Sequence, residues 1–523
     1  MAIITSNWST DFLTILALAL TIIIFYFKST FNYWKNRGVA YSEPNWIFGN
    51  FYDAITFKKN ITSYFCEQYN KTDEKAYGLY IFQRPYLLLR DPELIKHVLV
   101  KDFNNFVPRT SADIKGDEIG RHNMFSMKSV SGWRYVRSKL SPFFSSGKMK
   151  NMFGLLDQIG DQLTEQVKSH VNDSLDAKEI ARFYTTDVIV SAAFGIQANS
   201  FSDKEAAFSK VGKFMFTMNL RRSLELLCIF FWPIMAKIFD FKLFSKVGSD
   251  FLRNVVMNAM AEREENNIKR PDLIEALIAL KNKGTLEDSN KTEDGVANGI
   301  TSKDDKPPFK LEGDVLVAQA AVFFTAGFES SSSAISFTLH SISYNPEIQT
   351  RLRKEIQTVI SRNGGKFTYD CLKDMKYLDA CVKETLRLYP TLGFLDREAL
   401  DTYTFPGTNI TIDKGTAVVI SLEGLHRDPQ YFENPLIYDP ERFIEESQIL
   451  PYTYMPFGEG PRNCIGARFG MMSTKVGLIH ILRDFEVFTY KSPPPLEIDN
   501  KGFLLTAKNG IYLKFVPGTV YST

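Results

Sequence analysis

One cysteine stands in an unusual chemical setting near the end of the chain. Residues 456–470 read PFGEGPRNCIGARFG, which places Cys464 among three glycines and two residues after Arg462. Glycines at this spacing permit a tight backbone whose N–H groups can point at a sulfur atom, and a nearby cation is expected to lower the pKa of a thiol. The apolar run that follows, ARFGMMSTKVGLIHIL, predicts a buried helix whose N-terminus faces the sulfur. The pattern is typical of a loop that holds a thiolate.

A thiolate can serve as a nucleophile or as a metal ligand. A nucleophile needs a base, and the candidate bases His426 and His480 lie in no recognisable catalytic pattern. The other four cysteines are scattered without a C-x-x-C pair, which favours core positions over a disulfide framework or a structural zinc site. A metal bound through one cysteine, such as haem iron, is therefore favoured over nucleophilic catalysis.

The loop resembles a known signature. It matches, in full, the pattern F-x-x-G-x-R-x-C-x-G of the cytochrome P-450 haem-thiolate monooxygenases. Four further motifs of that family occur in its order: WRYVR with Trp133 and Arg137, AGFESS at 326–331, KETLRLYP with Glu384 and Arg387, and DPERF with Arg442. The resemblance covers essentially the whole chain and looks closest to insect microsomal members of the detoxifying kind.

The resemblance implies haem b as the cofactor, with Cys464 as the axial ligand of the iron, and dioxygen as a co-substrate. Haem carries two propionates, and buried carboxylates need cations, for which the fork of arginine is well suited. The side chains implied to hold the haem are Trp133, Arg137, Arg397, Phe457, Arg462 and Cys464.

Proton delivery to oxygen is implied for Glu329 and Ser330 in the AGFESS motif, where an acid and a hydroxyl follow the small residues Ala326 and Gly327. The family usually has threonine at the position of Ser330. Serine keeps the hydroxyl but lacks the methyl group that restricts the rotamer, which leaves the geometry of the relay open.

Glu384 and Arg387 are three residues apart, so they project from one face of a predicted helix. Alone, such a pair is usually a solvated surface ion pair. The resemblance implies instead that the pair is buried with Arg442 and locks the core around the haem loop. Breaking a buried pair costs roughly 3–5 kcal/mol.

The implied function is insertion of one oxygen atom from O2 into an apolar small molecule, either a xenobiotic or a lipophilic endogenous compound. A haem-thiolate isomerase or dehydratase and a haem sensor without turnover are the alternatives. The resemblance places a pocket, held by shape rather than by charge, at the residues Phe323, Phe324, Ala326, Leu392, Phe394 and Leu504.

Electrons must come from another protein, because the chain has no dinucleotide-binding fingerprint. The resemblance implies NADPH–cytochrome reductase, with cytochrome b5 as a further donor. The sequence also contains the basic residues Arg134, Lys139, Lys148 and Lys150. They can form an ordinary solvated surface, or they can form a docking site for an acidic electron donor. The formal net charge of +2 gives no reason to expect a nucleic-acid partner.

The N-terminus contains an apolar, uncharged run at residues 12–27, FLTILALALTIIIFYF, with basic residues after it. We expect an uncleaved single-pass membrane anchor, because no basic segment precedes the run and no small-residue cleavage site follows it. The flanking charges predict that residues 1–37 form the anchor and its flank, with the catalytic body in the cytosol. The resemblance to microsomal members implies that the membrane is that of the endoplasmic reticulum.

The rest of the chain, residues 38–523, is predicted to be one domain of the cytochrome P-450 fold, mainly α with a small β subdomain. Helical patterns cover 150–170, 313–344, 347–360 and 376–388, and strand patterns cover 77–89, 416–421 and 511–515. The polar run 281–310 is expected to be a surface loop within this domain.

Overall fold

A computed structural model describes residues 7–520, apart from residues 172, 204, 284–308 and 446–447. In these residues the α-helices are α1 Trp8–Phe31, α2 Tyr52–Ile55, α3 Ile61–Asn70, α4 Pro92–Lys96, α5 Glu118–His122, α6 Val130–Leu140, α7 Ser146–Lys168, α8 Ala177–Ile189, α9 Ala207–Phe216, α10 Leu220–Phe231, α11 Pro233–Ile238, α12 Lys246–Glu265, α13 Leu273–Lys283, α14 Asp314–Ser343, α15 Pro346–Arg362, α16 Cys371–Asp374, α17 Lys376–Leu388, α18 Leu422–His426 and α19 Ala467–Leu482. The strands are β1 Ala76–Ile81, β2 Arg84–Leu89, β3 Ser174–Asp176, β4 Phe394–Glu398, β5 Tyr403–Thr404, β6 Thr411–Ile412, β7 Ala417–Ser421, β8 Phe485–Thr489 and β9 Tyr512–Pro517.

The largest described sheet has four strands in the order β1-β2-β7-β4. β2 and β7 are parallel, whereas β7 and β4 are antiparallel with Arg397 opposite Val418. All five residues of β7 are buried, as expected for a central strand covered on both faces. The smaller sheets have the orders β3-β9-β8 and β5-β6. The structure is thus mainly helical with a small β region, as predicted.

The helical core is built around α14, which packs against α5, α8, α12, α17 and α19. α14 is buried on almost every side along most of its length, and its buried residues include polar as well as apolar side chains. Small side chains, including Ser332, Ser333 and Ser336, allow its neighbours to approach closely and are themselves buried. The helix therefore runs through the interior, where its central residues can line a site.

The predicted long elements agree closely with the structure. The segment 376–388 is α17 to the residue, and the segment 313–344 is α14 with one residue less at each end. The strand pattern at 77–89 is a hairpin of β1 and β2, because Phe82 takes a left-handed turn conformation with a φ of 53°. Of the predicted polar loop, residues 281–283 end α13 and residues 284–308 lie outside the described part of the chain.

The predicted transmembrane helix is not supported. Within the part of the chain that the structure describes, no helix is both long and apolar enough to cross a membrane. The N-terminal apolar run lies in α1, but α1 also contains Asp11 in its first turn and Thr30 near its end. The uncharged run of residues 12–27 is shorter than the roughly 20 residues that a full span takes.

Candidate active site

The Cys464 loop has the tight backbone that its glycines predict. Gly458 and Gly460 have φ values of 71° and 72°, and a side chain on Gly460 would overlap the carbonyl oxygen of Leu99. The loop closes on itself, because the N–H of Cys464 donates to the carbonyl oxygen of Phe457 over 2.7 Å. α19 begins three residues after the cysteine. Only glycine fits Gly460, since the position combines a left-handed φ with backbone contact.

The Cys464 thiol lies deep in the protein, and this burial raises its pKa. The N–H of Gly466 and the guanidinium groups of Arg137 and Arg109 act in the opposite direction without outweighing burial. The expectation that the loop by itself lowers the thiol pKa, with Arg462 as the cation, is therefore wrong. A bound metal ion deprotonates a coordinating thiol outright, so the loop is suited to a metal ligand rather than to a free nucleophile.

The Cys464 side chain is nevertheless accessible, while its neighbours Arg462 and Phe469 are buried. Because the sulfur lies deep in the protein, the side chain faces an internal space rather than bulk solvent. The ring of Phe144 stacks on Phe323 of α14 at 5.3 Å and meets Phe469 of α19 at 6.5 Å. These contacts bring the start of α19 and the middle of α14 to the same region.

The two candidate bases have other partners. The ring Nε2 of His426 accepts the N–H of Met455 over 3.0 Å, and burial lowers the pKa of His426 to about 3. His480 Nε2 pairs with Asp157 Oδ1 at 2.9 Å. Within the described residues, neither ring forms a hydrogen bond with Cys464, so the nucleophile–base pair of a thiol hydrolase is not formed.

A group of buried charges, here called the Arg397 cluster, consists of Arg109, Arg397, Arg462 and Asp396. Burial, with Arg109 nearby, lowers the pKa of Arg397 to about 9. Burial and the positive charges of Arg109 and Arg397 also lower the pKa of Arg462. The three guanidinium groups therefore act on one another in the interior, where charges of like sign repel strongly.

Few groups compensate the guanidinium charges of the Arg397 cluster. Arg109 Nη1 pairs with Asp396 Oδ1 at 2.8 Å, while Arg397 Nη1 donates to the carbonyl oxygen of Asp396 over 2.7 Å. Arg462 donates to the backbone carbonyl oxygens of Val107, Phe125 and Met127. In the described part of the chain, the buried Nε atoms of Arg109, Arg397 and Arg462 have no hydrogen-bond partner.

Haem fits this arrangement. Its two propionates would supply the anionic oxygen atoms that buried guanidinium groups require. Trp133, on α6, is buried with its ring 4.9 Å from the Arg462 guanidinium, as expected for a side chain at the edge of this site. The donor set, one internal thiol and a cluster of cations, matches a haem bound through cysteine.

Arg137, predicted to contact the haem, is held by the Cys464 loop itself. Its Nη1 donates to the carbonyl oxygen of Asn463 over 2.9 Å, and its Nη2 donates to Asn463 Oδ1 over 2.7 Å. Trp133 and Arg137 are four residues apart on α6, which begins at the capping residue Ser129. Arg137 thus fixes the backbone next to Cys464, and its guanidinium is close enough to act on the pKa values of both Cys464 and Arg462.

Arg109 was missed from the sequence. It lies within VPRTS, residues 107–111, in a segment before α5 that carries no periodic pattern. The structure brings it to the Arg397 cluster through Asp396, 287 residues later in the chain.

The α14 residues that were predicted to deliver protons point to two different sides of the helix. Ala326 is exposed in the middle of a buried helix, and Ser330, one turn later, is half-buried. The hydroxyl of Ser330 donates to the carbonyl oxygen of Ala326 over 2.6 Å. Positions four apart share one helix face, so Ala326 and Ser330 face the same internal space. α14 remains a continuous helix through this region.

Glu329 points to α8 instead. Its carboxylate lies 3.0 Å from Lys178 Nζ and 3.1 Å from Arg182 Nη2. Burial opposes ionisation of Glu329, but Lys178 and Arg182 outweigh it and lower the carboxyl pKa. Lys178 also donates to Ser332 and Ser333 of α14. Sequence reasoning missed both cations, which hold the Glu329 carboxylate charged on another side of α14.

The predicted pocket residues are also divided. Phe323 packs on Phe144 beside the Cys464 loop. Phe324 is fully buried against Phe194 and Phe208. Phe394, which starts β4, is buried in an aromatic group with Phe65, Phe231 and Phe503. Of the remaining three, Ala326 is exposed, and Leu392 and Leu504 are half-buried.

The predicted structural ion pair is present and buried. Glu384 Oε2 and Oε1 accept from Arg387 Nε and Nη2 over 2.7 and 2.8 Å, and both side chains are 0 % exposed. Arg387 also donates to the carbonyl oxygens of His426, Pro435 and Ile437. Arg442 Nε lies 3.6 Å from Glu384 Oε1. Glu384, Arg387 and Arg442 are called the Arg387 cluster below.

Comparison with known proteins agrees with this geometry. The family model for cytochrome P450 matches residues 40–515. The chain is 43 % identical to cytochrome P450 6k1 of Blattella germanica over 525 residues, which covers 99 % of each chain. It is 38 % identical to probable cytochrome P450 6g2 of Drosophila melanogaster, over 93 % of this chain and 94 % of the relative. With its internal cysteine, its Arg387 cluster and this similarity over nearly its whole length, the chain belongs to the cytochrome P450 family.

Proposed function

We propose that the protein is a haem-thiolate monooxygenase that inserts one oxygen atom from O2 into apolar small molecules. The observation that carries the proposal is the pairing of one internal thiol, Cys464, with three buried guanidinium groups whose Nε atoms are left without partners. This combination is suited to a planar ligand that offers a metal at its centre and carboxylates at its edge.

Each residue of the site has a distinct part. Cys464 holds the iron, and Arg109, Arg397, Arg462 and Trp133 hold the propionate edge. Arg137 keeps the Cys464 backbone in place through Asn463. Haem bound in this way supplies the activation of O2, since a thiolate ligand favours cleavage of the O–O bond. The protein contributes orientation, protons and a site that excludes water.

Ser330 is the proton-carrying group on the face of α14 that turns toward the internal space. Its hydroxyl donates its one proton to the Ala326 carbonyl, so it passes a proton on only when it gives up that bond and its oxygen accepts a proton in return. Glu329 stays charged beside Lys178 and Arg182, so it acts as a reservoir only if that pairing opens. We expect Ser330→Thr to couple electrons to product at least as well as the wild type, because threonine can form the same bond to Ala326. A fall in product formed per NADPH consumed would contradict this role.

Electrons are proposed to arrive from NADPH–cytochrome reductase, with cytochrome b5 as a further donor. A groove of about 1000 Å³ lies on the outer side of the Cys464 loop. Its apolar lining includes Met149, Met375, Met471 and Met472, and its charged lining consists of the basic Lys373, Lys376, Lys383, Arg468 and Lys475 and the acidic Asp379 and Glu459. Asp379 pairs with Lys383 and Lys475, so the basic side chains remain in excess. Lys148 and Lys150 flank Met149 on α7. Such a surface suits an acidic donor, so Lys376→Glu should slow reduction by the reductase, most strongly at low salt. A salt-independent rate in both proteins would argue against this docking site.

Attachment to the endoplasmic reticulum membrane, with the catalytic body in the cytosol, is also a proposal. Large exposed apolar side chains occur on α1, including Phe12 and Phe25, and around α11 at Ile234, Ile238 and Phe239. Exposed apolar side chains in groups mark interaction or membrane surfaces. Flotation with lipid vesicles should carry the full chain but release a variant with Ile234→Ser, Ile238→Ser and Phe239→Ser that also lacks α1. A full chain that stays unbound would rule the membrane placement out.

The carbon monoxide difference spectrum of the reduced protein tests the cofactor and its ligand together. We expect a red-shifted, thiolate-type band that disappears in Cys464→Ser and persists in Cys228→Ser, a half-buried cysteine on α10. Absence of the band from the wild type would refute a haem-thiolate centre. With the band present, product formation that depends on NADPH, reductase and O2 separates the monooxygenase from a haem-thiolate isomerase or dehydratase and from a sensor.

A further inference from the structure

Asp396 is a buried carboxylate in the middle of the Arg397 cluster. It lies in β4 directly before Arg397 and is 5 % exposed. Its Oδ1 pairs with Arg109 Nη1 at 2.8 Å. Its Oδ2 accepts the backbone N–H of Thr110 over 2.6 Å and the Thr110 hydroxyl over 2.9 Å. One carboxylate therefore fixes both the Arg109 side chain and the backbone beside it.

The charge on Asp396 is secure. Burial acts to raise its pKa, but Arg109, the N–H of Thr110 and Arg397 outweigh burial and lower the pKa to about 2. The neighbouring carboxylate Glu398 is more exposed and is occupied by Arg84 at 2.7 Å and Lys128 at 3.0 Å. Asp396 is thus the carboxylate that the structure pairs with Arg109 in this cluster.

The charges of the cluster have a simple balance. Three buried guanidinium groups and one carboxylate leave a net charge of +2, and the two propionates of haem carry −2. Without Asp396 the same site would keep one uncompensated positive charge when haem is bound, which is costly in a region of low dielectric constant.

We propose that Asp396 is a positioning and charge-balancing residue for haem, which fixes Arg109 toward the propionate edge and sets how easily the bound iron is reduced. The inference rests on the proposed function, since it requires haem bound at Cys464. Reduction adds one negative charge to the haem, so a buried carboxylate nearby disfavours reduction and a buried guanidinium favours it.

The test is the reduction equilibrium of the purified holo-protein against a redox dye of known potential. Asp396→Asn keeps the shape and a hydrogen-bond acceptor but removes the charge. We expect its equilibrium constant for reduction to rise about tenfold, because one charge acting across about 10 Å at an effective dielectric constant of about 20 changes an equilibrium by roughly that factor. Arg109→Gln should shift the same constant in the opposite direction. The double variant Asp396→Asn/Arg109→Gln should return close to the wild type.

Asp428→Asn is the matched control. Asp428 is also buried and accepts from a tyrosine hydroxyl, Tyr69, and from an arginine, Arg90, but belongs to a separate group. Its reduction equilibrium should match that of the wild type.

A reduction equilibrium unchanged in Asp396→Asn, or shifted equally in Asp428→Asn, would overturn the inference. The double variant supplies the test if Asp396→Asn alone gives no folded protein, since removing both charges leaves neither one buried and unpaired. In that case, the inference is overturned if the reduction equilibrium of the double variant differs from that of the wild type by as much as that of Arg109→Gln does. A failure of the proposed function looks different, because the wild type itself would then lack the thiolate band with carbon monoxide.

Discussion

Two groups of arginines inside the described part of the protein, the Arg387 cluster and the Arg397 cluster, differ in how their positive charges are compensated. In the Arg387 cluster, Arg387 donates to both oxygens of Glu384 and to three backbone carbonyls, so every nitrogen of the Arg387 guanidinium has a partner within the chain. The Nε of Arg442 forms no hydrogen bond in the described residues, but it lies 3.6 Å from the Glu384 carboxylate. In the Arg397 cluster, three guanidinium groups share one carboxylate, and their Nε atoms have no partner in the described residues.

This difference distinguishes a cluster that stabilises the fold from a cluster that is suited to binding an anionic ligand. A buried charge that the chain itself satisfies stabilises one arrangement of the surrounding elements, here α17 and the turn that carries Arg442. Buried charges that the chain leaves in excess cost free energy until an anion joins them. The first cluster should therefore matter for folding with or without cofactor, and the second should matter mainly for holding it.

The largest effect is expected from Glu384→Ala. It leaves the Arg387 guanidinium buried beside backbone carbonyls only, and breaking a buried pair in this way costs roughly 3–5 kcal/mol. We expect the free energy of unfolding to fall by about that amount and the yield of haem-containing protein to collapse. Urea unfolding and the haem absorbance per protein measure the two effects.

Glu441→Ala is the control for this variant, because Glu441 pairs with Arg351 at an exposed position next to Arg442. Its effect should stay within about 1 kcal/mol. A Glu384→Ala protein with normal haem content would remove the structural role assigned to the Arg387 cluster.

A smaller effect on folding, but a large one on haem, is expected from Arg397→Gln. Removing one of three mutually repelling cations should leave the stability of the haem-free protein within about 1 kcal/mol of the wild type or raise it. Loss of a charge-assisted contact to a propionate should speed haem transfer to an acceptor protein ten- to hundredfold.

Arg387→Gln is the matched variant in the other cluster, and it should lower stability both with and without haem. If Arg397→Gln destabilises the haem-free protein as much as Arg387→Gln does, the distinction between the two clusters is wrong. Circular dichroism melting of both forms, together with the haem transfer rate, decides between these outcomes.

The smallest expected effect concerns His426, which joins the Arg387 cluster to the Cys464 loop. Its carbonyl oxygen accepts from Arg387, and its ring accepts from the N–H of Met455. Burial lowers its pKa to about 3, whereas the unfolded chain takes up this proton near pH 6.5. Between these values only the unfolded state binds the proton, so acidification favours unfolding.

From pH 7.5 to pH 5.5 we expect His426 to cost the wild type about 1.4 kcal/mol of unfolding free energy. His426→Gln retains an acceptor for Met455 and should lose less stability over this range by about that amount. His170→Gln, at the partly exposed end of α7, serves as the control and should follow the wild type. Equal pH dependence in His426→Gln and the wild type would contradict a neutral, buried His426.

Local patterns predicted much of the fold and part of the site. The apolar periodicity of α14 and α17 fixed their bounds to within one residue, because a helix that is buried on most sides leaves a long and regular signal. The Cys464 loop and the Glu384–Arg387 pair were also found, since glycine spacing and the i, i+3 relation are properties of adjacent residues.

Contacts between distant segments were not found in the same way. The partner of Arg109 is 287 residues away, and the cations that hold Glu329 are about 150 residues before it. The local sequences of VPRTS and of α8 do not indicate which distant charged residue will be buried beside each of them. The direction of the Cys464 pKa was also misjudged, because desolvation depends on how much of the whole chain surrounds the sulfur.

The sequence by itself determined the cysteine loop, the ion-paired helix and the mainly helical architecture, because each of these features depends on residues that are close neighbours along the chain. Only the tertiary structure decided that Arg109 and Asp396 join Arg397 and Arg462, that Arg137 contacts Asn463, and that Glu329 turns to α8. Burial and charge compensation are sums over all neighbours in space, so they are settled only when the distant parts of the chain have come together.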